Sequence, residues 1–434
     1  MGRSFWALFT TQFLGALNDN VFKNALVILI AYRGVSVWGL DSAQVVALAS
    51  GLFILPFLLF SPLAGQICDK SDRASLVRLT KFWEIAVMLL AGVGLYLHNF
   101  AFLLTVLFLA GVQATFFGPL KYSMLPDMVK PGQLMKANAF VESATFLAIL
   151  LGTILGGALV TLPSGELYVI AAILLLSVMG LGSGWLVQKV PVGDQQLQLE
   201  WNPWPSLVSK YKMLKADPVL LWAVLLISWF WFFGAVVLSV LPVFGKETLK
   251  VDESLVTTFL AVFTFGIGAG SFLCGRLSRN HVNLKLLPYG ALGMTVFAFD
   301  LWISGFNWPF AMPVMMVEPD QLISFKLYFT DWSSWRILVD FFLLALSGGF
   351  FVLPLYTLLQ QRSHESYRSR VIAALNIVNA FFMVIAAAMI MVLRALKYND
   401  WEIFCALGFL NIIVIAFVQS KSFQHRDLAI KAQQ

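Results

Sequence analysis

Gly65-Gln66-Ile67-Cys68-Asp69-Lys70-Ser71-Asp72-Arg73 is a short charged turn between two long apolar stretches. Residues 42–68 before it carry no charge, and a second apolar segment begins near 76. Crossing the hydrocarbon of a bilayer takes about 20 apolar residues as a helix, so the turn reads as a link between two membrane spans. The glycine lets two helix backbones approach closely. Asp69 fits at the end of a neighbouring helix, and Lys70 and Arg73 suit carboxylates across the turn. Gly65, Asp69, Lys70 and Arg73 are therefore expected to act as a latch on the inner face. The competing reading is a plain solvated turn.

Working outward, the whole chain has the same character. Its 434 residues are 59% apolar and 12% charged, with a mean hydropathy of +0.82. Soluble proteins average about 45–50% apolar and about 25% charged residues. These figures exclude a soluble globular fold, a disordered chain, a collagen and a disulfide scaffold. The net charge of +6 gives no reason to expect nucleic acid, because in a membrane protein the placement of Lys and Arg carries the information. Cys68, Cys274 and Cys405 are an odd, widely spaced set, suited neither to disulfides nor to zinc. No metal or cofactor site is legible. The N-terminal stretch holds Asn18-Asp19-Asn20 and Lys23 and does not read as a cleavable signal.

Twelve spans are expected: 5–32, 42–66, 76–97, 99–119, 135–162, 166–188, 218–244, 254–275, 285–306, 335–360, 370–393 and 402–420. With the N-terminus inside, 20 Lys/Arg fall on the cytoplasmic side and seven outside, which places both termini in the cytoplasm. The connection 189–217, with Trp201-Asn202-Pro203-Trp204-Pro205 and then Lys210, Lys212 and Lys215, reads as a stretch on the inner membrane surface. It divides the chain into 1–188 and 218–420, leaving a cytoplasmic tail, 421–434. The halves repeat. Phe116-Phe117-Gly118-Pro119-Leu120 answers Phe350-Phe351-Val352-Leu353-Pro354-Leu355, Ala137-Asn138 answers Leu375-Asn376, and Gly65 answers Gly275. The expected fold is an all-α polytopic membrane protein of twelve transmembrane helices in two six-helix pseudo-repeats, the pattern of a major facilitator transporter. The opening turn resembles that superfamily's G-x-x-x-D-[RK]-x-x-[RK] signature. Its second copy, Gly275-Arg276-Leu277-Ser278-Arg279, lacks the acid.

Ionisable groups at membrane depth are expensive and point to function. Asp19 lies about 21 Å along the first span, and Lys23 follows on the same face. Lys81 and Glu84 share a face of the third span, Lys121 follows the fourth at the cytoplasmic rim, and Glu142 lies within the fifth. Asp19–Lys23 and Lys81–Glu84 read equally as structural ion pairs, and Lys121 as a positive-inside anchor. Asp300 and Asp340 lie near external span ends and can snorkel out; Arg336, one turn from Asp340, favours a structural role for both. The cations suit a phosphate and the acids an ammonium, as a zwitterionic lipid headgroup requires. Phe230-Trp231-Phe232-Phe233 suits either a cavity wall for an acyl chain or plain packing.

Three stretches resemble the bacterial lysophospholipid transporter family of the major facilitator superfamily. They are Gln12-Phe13-Leu14-Gly15-Ala16-Leu17-Asn18-Asp19-Asn20; Pro119-Leu120-Lys121-Tyr122-Ser123-Met124-Leu125 with Leu134-Met135-Lys136-Ala137-Asn138-Ala139-Phe140-Val141-Glu142-Ser143; and Gly348-Gly349-Phe350-Phe351-Val352-Leu353-Pro354-Leu355 with Leu358-Leu359-Gln360. The resemblance implies movement of lysophospholipids, chiefly lysophosphatidylethanolamine, from the outer to the inner leaflet of the bacterial cytoplasmic membrane for reacylation. It implies polar-site roles for Asp19 with Asn20 in the D-N motif, Lys121 in P-x-K-Y and Glu142 in A-N-x-x-x-E. Lys81, Glu84 and Lys23 complete the candidate substrate-binding set. Some members carry an arginine in the seventh span, whereas 218–245 here holds no charge. Many relatives continue into an acyltransferase domain, and no H-x-x-x-x-D arrangement is present here, so no catalytic centre is expected. The rivals are a proton-coupled exporter of drugs or siderophores and a platform that docks a cytoplasmic acyltransferase through 189–217 or 421–434.

Overall fold

The computed structural model describes residues 1–40, 42–130, 132–200, 215, 217–278, 282–318 and 321–419. Trp201–Pro205, Lys210, Lys212, Arg279 and the tail 421–434 lie outside them. Among the described residues twelve long helices follow one another: α1 (Arg3–Tyr32), α2 (Ser42–Lys70), α3 (Arg73–Tyr96), α4 (Phe100–Met128), α5 (Leu134–Val160), α6 (Gly165–Trp185), α7 (Pro218–Val243), α8 (Glu253–Leu277), α9 (Leu287–Asn307), α10 (Trp332–Arg362), α11 (Arg368–Ala395) and α12 (Asp400–Gln419). Eleven are long and apolar enough to cross a membrane. The other, α3, carries Arg73, Arg78, Lys81 and Glu84 along its length. The described residues contain no sheet beyond isolated bridges at Val37–Leu40 and Val251–Ile323.

One helix runs well past its expected end. Sequence reading closes the fourth span at 119, but α4 continues through Pro119 and Pro126 to Met128. A proline inside a membrane helix costs hydrogen bonds that neighbouring groups can restore, and Leu120, Tyr122, Ser123, Met124 and Leu125 are all buried there. Lys121 is consequently inside the helix and not beyond it.

The chain forms two compact units. The first comprises Met1–Ala137, Leu147–Leu221 and Leu359–Ala380; the second comprises Asn138–Phe146, Trp222–Leu358 and Phe381–Gln434. Packing thus divides the molecule differently from the sequence repeat, with a short piece of α5 in the second unit and the start of α11 in the first. The first unit has its core among Val21, Phe22, Leu26, Met88, Leu107 and Ile173. There α1 meets α5 at two glycines, where an added Cβ would lie 2.7 Å from Leu17 O at Gly152 and 2.5 Å from Val21 O at Gly156. In the second unit an indole and an amide join three helices. Trp229 of α7 donates to Asn411 of α12 at 2.7 Å, and the Asn411 amide donates to Ala291 O of α9 at 2.8 Å.

Each unit repeats the other's contacts. The Cys68 thiol, at the end of α2, reaches Phe116 O of α4 at 3.9 Å, and the Cys274 thiol, at the end of α8, reaches Phe350 O of α10 at 3.8 Å. A Cβ on Gly65 would meet Ala373 of α11 at 2.6 Å, and one on Gly275 would meet Ala139 of α5 at 3.6 Å. The sequence repeat is therefore also a repeat of helix contacts.

Candidate functional site

Within the first unit, α1, α3, α4 and α6 enclose a set of polar side chains at membrane depth. Lys81 and Glu84 lie three residues apart on α3, so they share a face. Lys81 Nζ is 2.5 Å from Glu84 Oε2, and both side chains are only 1% exposed. Gln113 of α4 donates to the same oxygen at 3.2 Å, and Asn18 of α1 donates to Oε1 at 3.1 Å. The ammonium also lies 5.0 Å from the Phe117 ring centroid. Space for the lysine comes from glycines. A Cβ on Gly15 would lie 2.5 Å from Nζ, and Cβ atoms on Gly180 and Gly184 would contact the Lys81 chain at 3.5–3.7 Å. Glu84 is thus a buried carboxylate with one cation and two amide donors, the condition under which a buried charge is tolerable.

Asp19, one residue beyond Asn18, is different. Its Oδ1 is buried and has no hydrogen-bond partner among the described residues. The charges that act on it are those of Glu84, Lys81, Lys23 and Lys121. The expected Asp19–Lys23 ion pair does not form. The Lys23 ammonium instead lies 5.5 Å from the Phe53 ring centroid, where an aromatic face offers a cation site without a carboxylate. Lys121 Nζ lies 4.7 Å from the Tyr122 ring centroid. Asn20 is drawn into packing: its amide donates to Ala16 O at 2.8 Å, and its Cβ would touch one built on Gly152 at 2.6 Å. Glu142 belongs to the second unit and is fully buried. One residue later, Ser143 donates to Gly268 O at 3.2 Å. One turn later, Phe146 stacks on Trp231 with centroids 5.9 Å apart.

The turn at 65–73 forms a dense network, also within the first unit. Asp69 Oδ1 accepts the Ser369 N–H at 3.0 Å; Oδ2 accepts the Arg370 N–H at 3.2 Å and Arg370 Nε at 3.0 Å. Ser369 and Arg370 open α11, so the carboxylate caps a helix N-terminus, where free N–H groups and the dipole favour an anion. Arg73 bonds Asp127 at 3.2 Å, Cys68 O at 3.3 Å and Glu365 O at 3.2 Å. Arg368 holds the other oxygen of Asp127 at 3.1 Å. Gly65 permits the close approach, since a Cβ there would come within 3.0 Å of Arg370 Cα. Lys70 forms no ion pair among the described residues, contrary to expectation; Arg73, Arg368 and Arg370 already occupy the two carboxylates.

In the second unit, Arg336 was expected to serve Asp340 on its own helix. It pairs instead with Asp300 of α9, through Nε to Oδ2 at 3.2 Å and Nη2 to Oδ1. Asp340 does not snorkel out; it is 2% exposed. Sequence reading also missed Asn18 and Gln113 as Glu84 ligands, Gly180 and Gly184 as the lysine's slot, and Asp127, Arg368 and Arg370 in the latch. A lone Gln in an apolar run and two glycines four residues apart were the available signals.

The family model described as Major Facilitator Superfamily matches residues 8–387. The chain belongs to the Major Facilitator Superfamily. Within this superfamily it is similar to the lysophospholipid transporter LplT of Cronobacter sakazakii, 24% identical over 369 residues that span 84% of this chain and 82% of that protein. The protein of that name from Pectobacterium carotovorum is 26% identical over 372 residues, 84% of this chain and 80% of its own. Among solved structures the chain resembles the human organic anion transporter MFSD10, with a TM-score of 0.73, 13% identity and coverage of 96% and 99%. It also resembles a bacterial homologue of the iron transporter ferroportin in an outward-facing state, at 0.68, 16%, 95% and 98%. These likenesses establish the major facilitator fold and agree with an all-α polytopic membrane transporter.

Proposed function

We propose that this chain moves lysophospholipids, chiefly lysophosphatidylethanolamine, from the outer to the inner leaflet of a bacterial cytoplasmic membrane, where they are reacylated. The observation that carries this reading is Asp19, whose carboxylate has a buried oxygen with no hydrogen-bond partner among the described residues and lies in the field of Glu84, Lys81, Lys23 and Lys121. A headgroup with an ammonium and a phosphate fits such a site, because it supplies the donor that Asp19 lacks and an anion for a cation nearby. Asp19 takes the ammonium and Lys121 takes the phosphate. Lys81 and Glu84 satisfy each other and set the field. The acyl chain needs no aqueous path and stays in lipid. The names of the relatives support the substrate class. The 20-to-7 division of Lys and Arg supports cytoplasmic termini, and a cytoplasmic acyltransferase is the natural consumer of the delivered lipid.

The latch belongs to the same reading. Asp69, Arg73 and Asp127 tie the α2–α3 turn to the start of α11, and release of that network would let these helix ends part during transport. The test is reconstitution of purified protein in liposomes with labelled lysophosphatidylethanolamine, with and without an imposed proton gradient. Wild-type protein is expected to move the label between leaflets, and Asp19→Asn and Lys121→Ala are expected to abolish movement while remaining folded. Normal transport by both variants would sink the site assignment, and no movement by wild type under either condition would favour the exporter.

A further inference from the structure

The connection between α9 and α10, residues 308–331, carries apolar side chains on both of its faces. Trp308, Ala311, Ile323 and Tyr328 are at most 4% exposed and face inward. The Tyr328 ring lies 5.9 Å from that of Trp308 and 5.7 Å from that of Phe259 on α8, centroid to centroid. Backbone hydrogen bonds hold this face down. The Ile323 N–H donates to Lys250 O at 2.7 Å, the Asp252 N–H donates to Ile323 O at 3.2 Å, and the Phe325 N–H donates to the Asp252 carboxylate at 3.2 Å. Turned the other way, Phe310, Met315, Met316, Leu322 and Phe325 are 46–76% exposed. The two neighbouring spans end at Asn307 and begin at Trp332, so these five side chains lie beyond the spans. An exposed apolar surface of this kind marks a contact site.

We propose that the outward face of this connection is a lipid-binding surface, seated on the headgroup layer of the bilayer where α9 ends and α10 begins. Continuity with the spans selects lipid as the occupant. Phe325 lies 5.0 Å from Phe329, and Phe329 lies 4.6 Å from Trp335 in the first turn of α10. The Trp335 indole donates to Phe329 O at 3.2 Å. An aromatic run thus leads from the connection onto a membrane helix at the level where indoles gather at bilayer interfaces. A segment that is apolar toward the protein and apolar away from it is stable where lipid takes the second face. Charge sets the depth. Lys326, next to Phe325, is exposed and long enough to reach lipid phosphates while its stem stays among the apolar groups. Glu318 is exposed as well, and a carboxylate keeps its water among headgroups but not in hydrocarbon. The surface holds these helix ends at one depth, whatever cargo the chain moves.

Fluorescence quenching in nanodiscs of phosphatidylethanolamine and phosphatidylglycerol tests the surface without a substrate, and both membrane faces stay open to water. With the native cysteines removed, the environment-sensitive fluorophore NBD is attached at Met316→Cys, Leu322→Cys or, for comparison, Gln195→Cys in the polar connection after α6. Met316, Leu322 and Gln195 are all exposed, so the substitutions disturb little packing. At 316 and 322 the dye is expected to emit to the blue of the dye at 195. It is also expected to lose several-fold more emission to a lipid with a nitroxide near its headgroup than to iodide in the water. At 195 the order of the two quenchers is expected to reverse. Stronger quenching by iodide at either 316 or 322 would place the face in water and overturn the proposal. Blue emission that neither quencher reduces would also overturn it, because protein and not lipid would then cover the face.

Discussion

Glu84 and Asp19 are acids on facing helices of one cluster, and the difference between them is the number of donors each receives. Glu84 has Lys81, Asn18 and Gln113, while Asp19 Oδ1 has none among the described residues. Removing one member of a buried ion pair strands the other charge and costs about 3–5 kcal/mol. Glu84→Gln is therefore expected to lower stability by about that much, read as a lower midpoint in chemical unfolding of the detergent-solubilised protein. Asp19→Asn removes no bond at Oδ1 and is expected to change stability by less than about 1 kcal/mol. Equal losses in the two variants would place Asp19 among the structural acids and not the ligands. The candidate acids and lysines were legible in sequence because charge inside an apolar run stands out. Their pairing was not legible, since Lys23 is as well placed as Lys81 by spacing alone.

At the scale of helices, glycine decides which elements touch. Gly65 allows α2 to reach α11, so that Asp69 meets the N–H groups of Ser369 and Arg370. Gly65→Leu is expected to force these helices apart and break the latch, and Asp69→Asn to weaken it without steric change. The native Cys68, 1% exposed, reports the event. In a Cys274→Ser/Cys405→Ser background, maleimide labelling of Cys68 is expected to be slow in the parent and faster in both variants. An unchanged rate in both would mean that the network does not hold these ends together. A further glycine effect is expected at Gly180, where Leu would collide with the Lys81 stem and lower the unfolding midpoint. Asp69 and Arg73 of this network were readable from the turn at 65–73, whereas Lys70, expected beside them, takes no part in it among the described residues. Arg368 and Arg370 were not, because they follow in sequence by about 300 residues and nothing local marks them as the other half.

For the whole molecule, orientation is the property that hydropathy and charge set together. An impermeant maleimide is expected to label His98→Cys from outside intact cells, and Gln195→Cys only after permeabilisation, with native cysteines removed. The reverse pattern would invert the topology. Sequence by itself determined that the chain is a membrane protein of about twelve spans in two repeats. Hydropathy and Lys/Arg bias sum along the chain and need no knowledge of neighbours. Tertiary structure alone decided that Arg336 serves Asp300 and leaves Asp340 enclosed, that α4 runs on past Pro119 to carry Lys121, and that α5 and α11 each contribute to both compact units. The physical reason is that these outcomes depend on helix rotation and close approach. Successive residues turn about 100° around a helix, and which face meets which partner is fixed by packing, not by any local property of the chain.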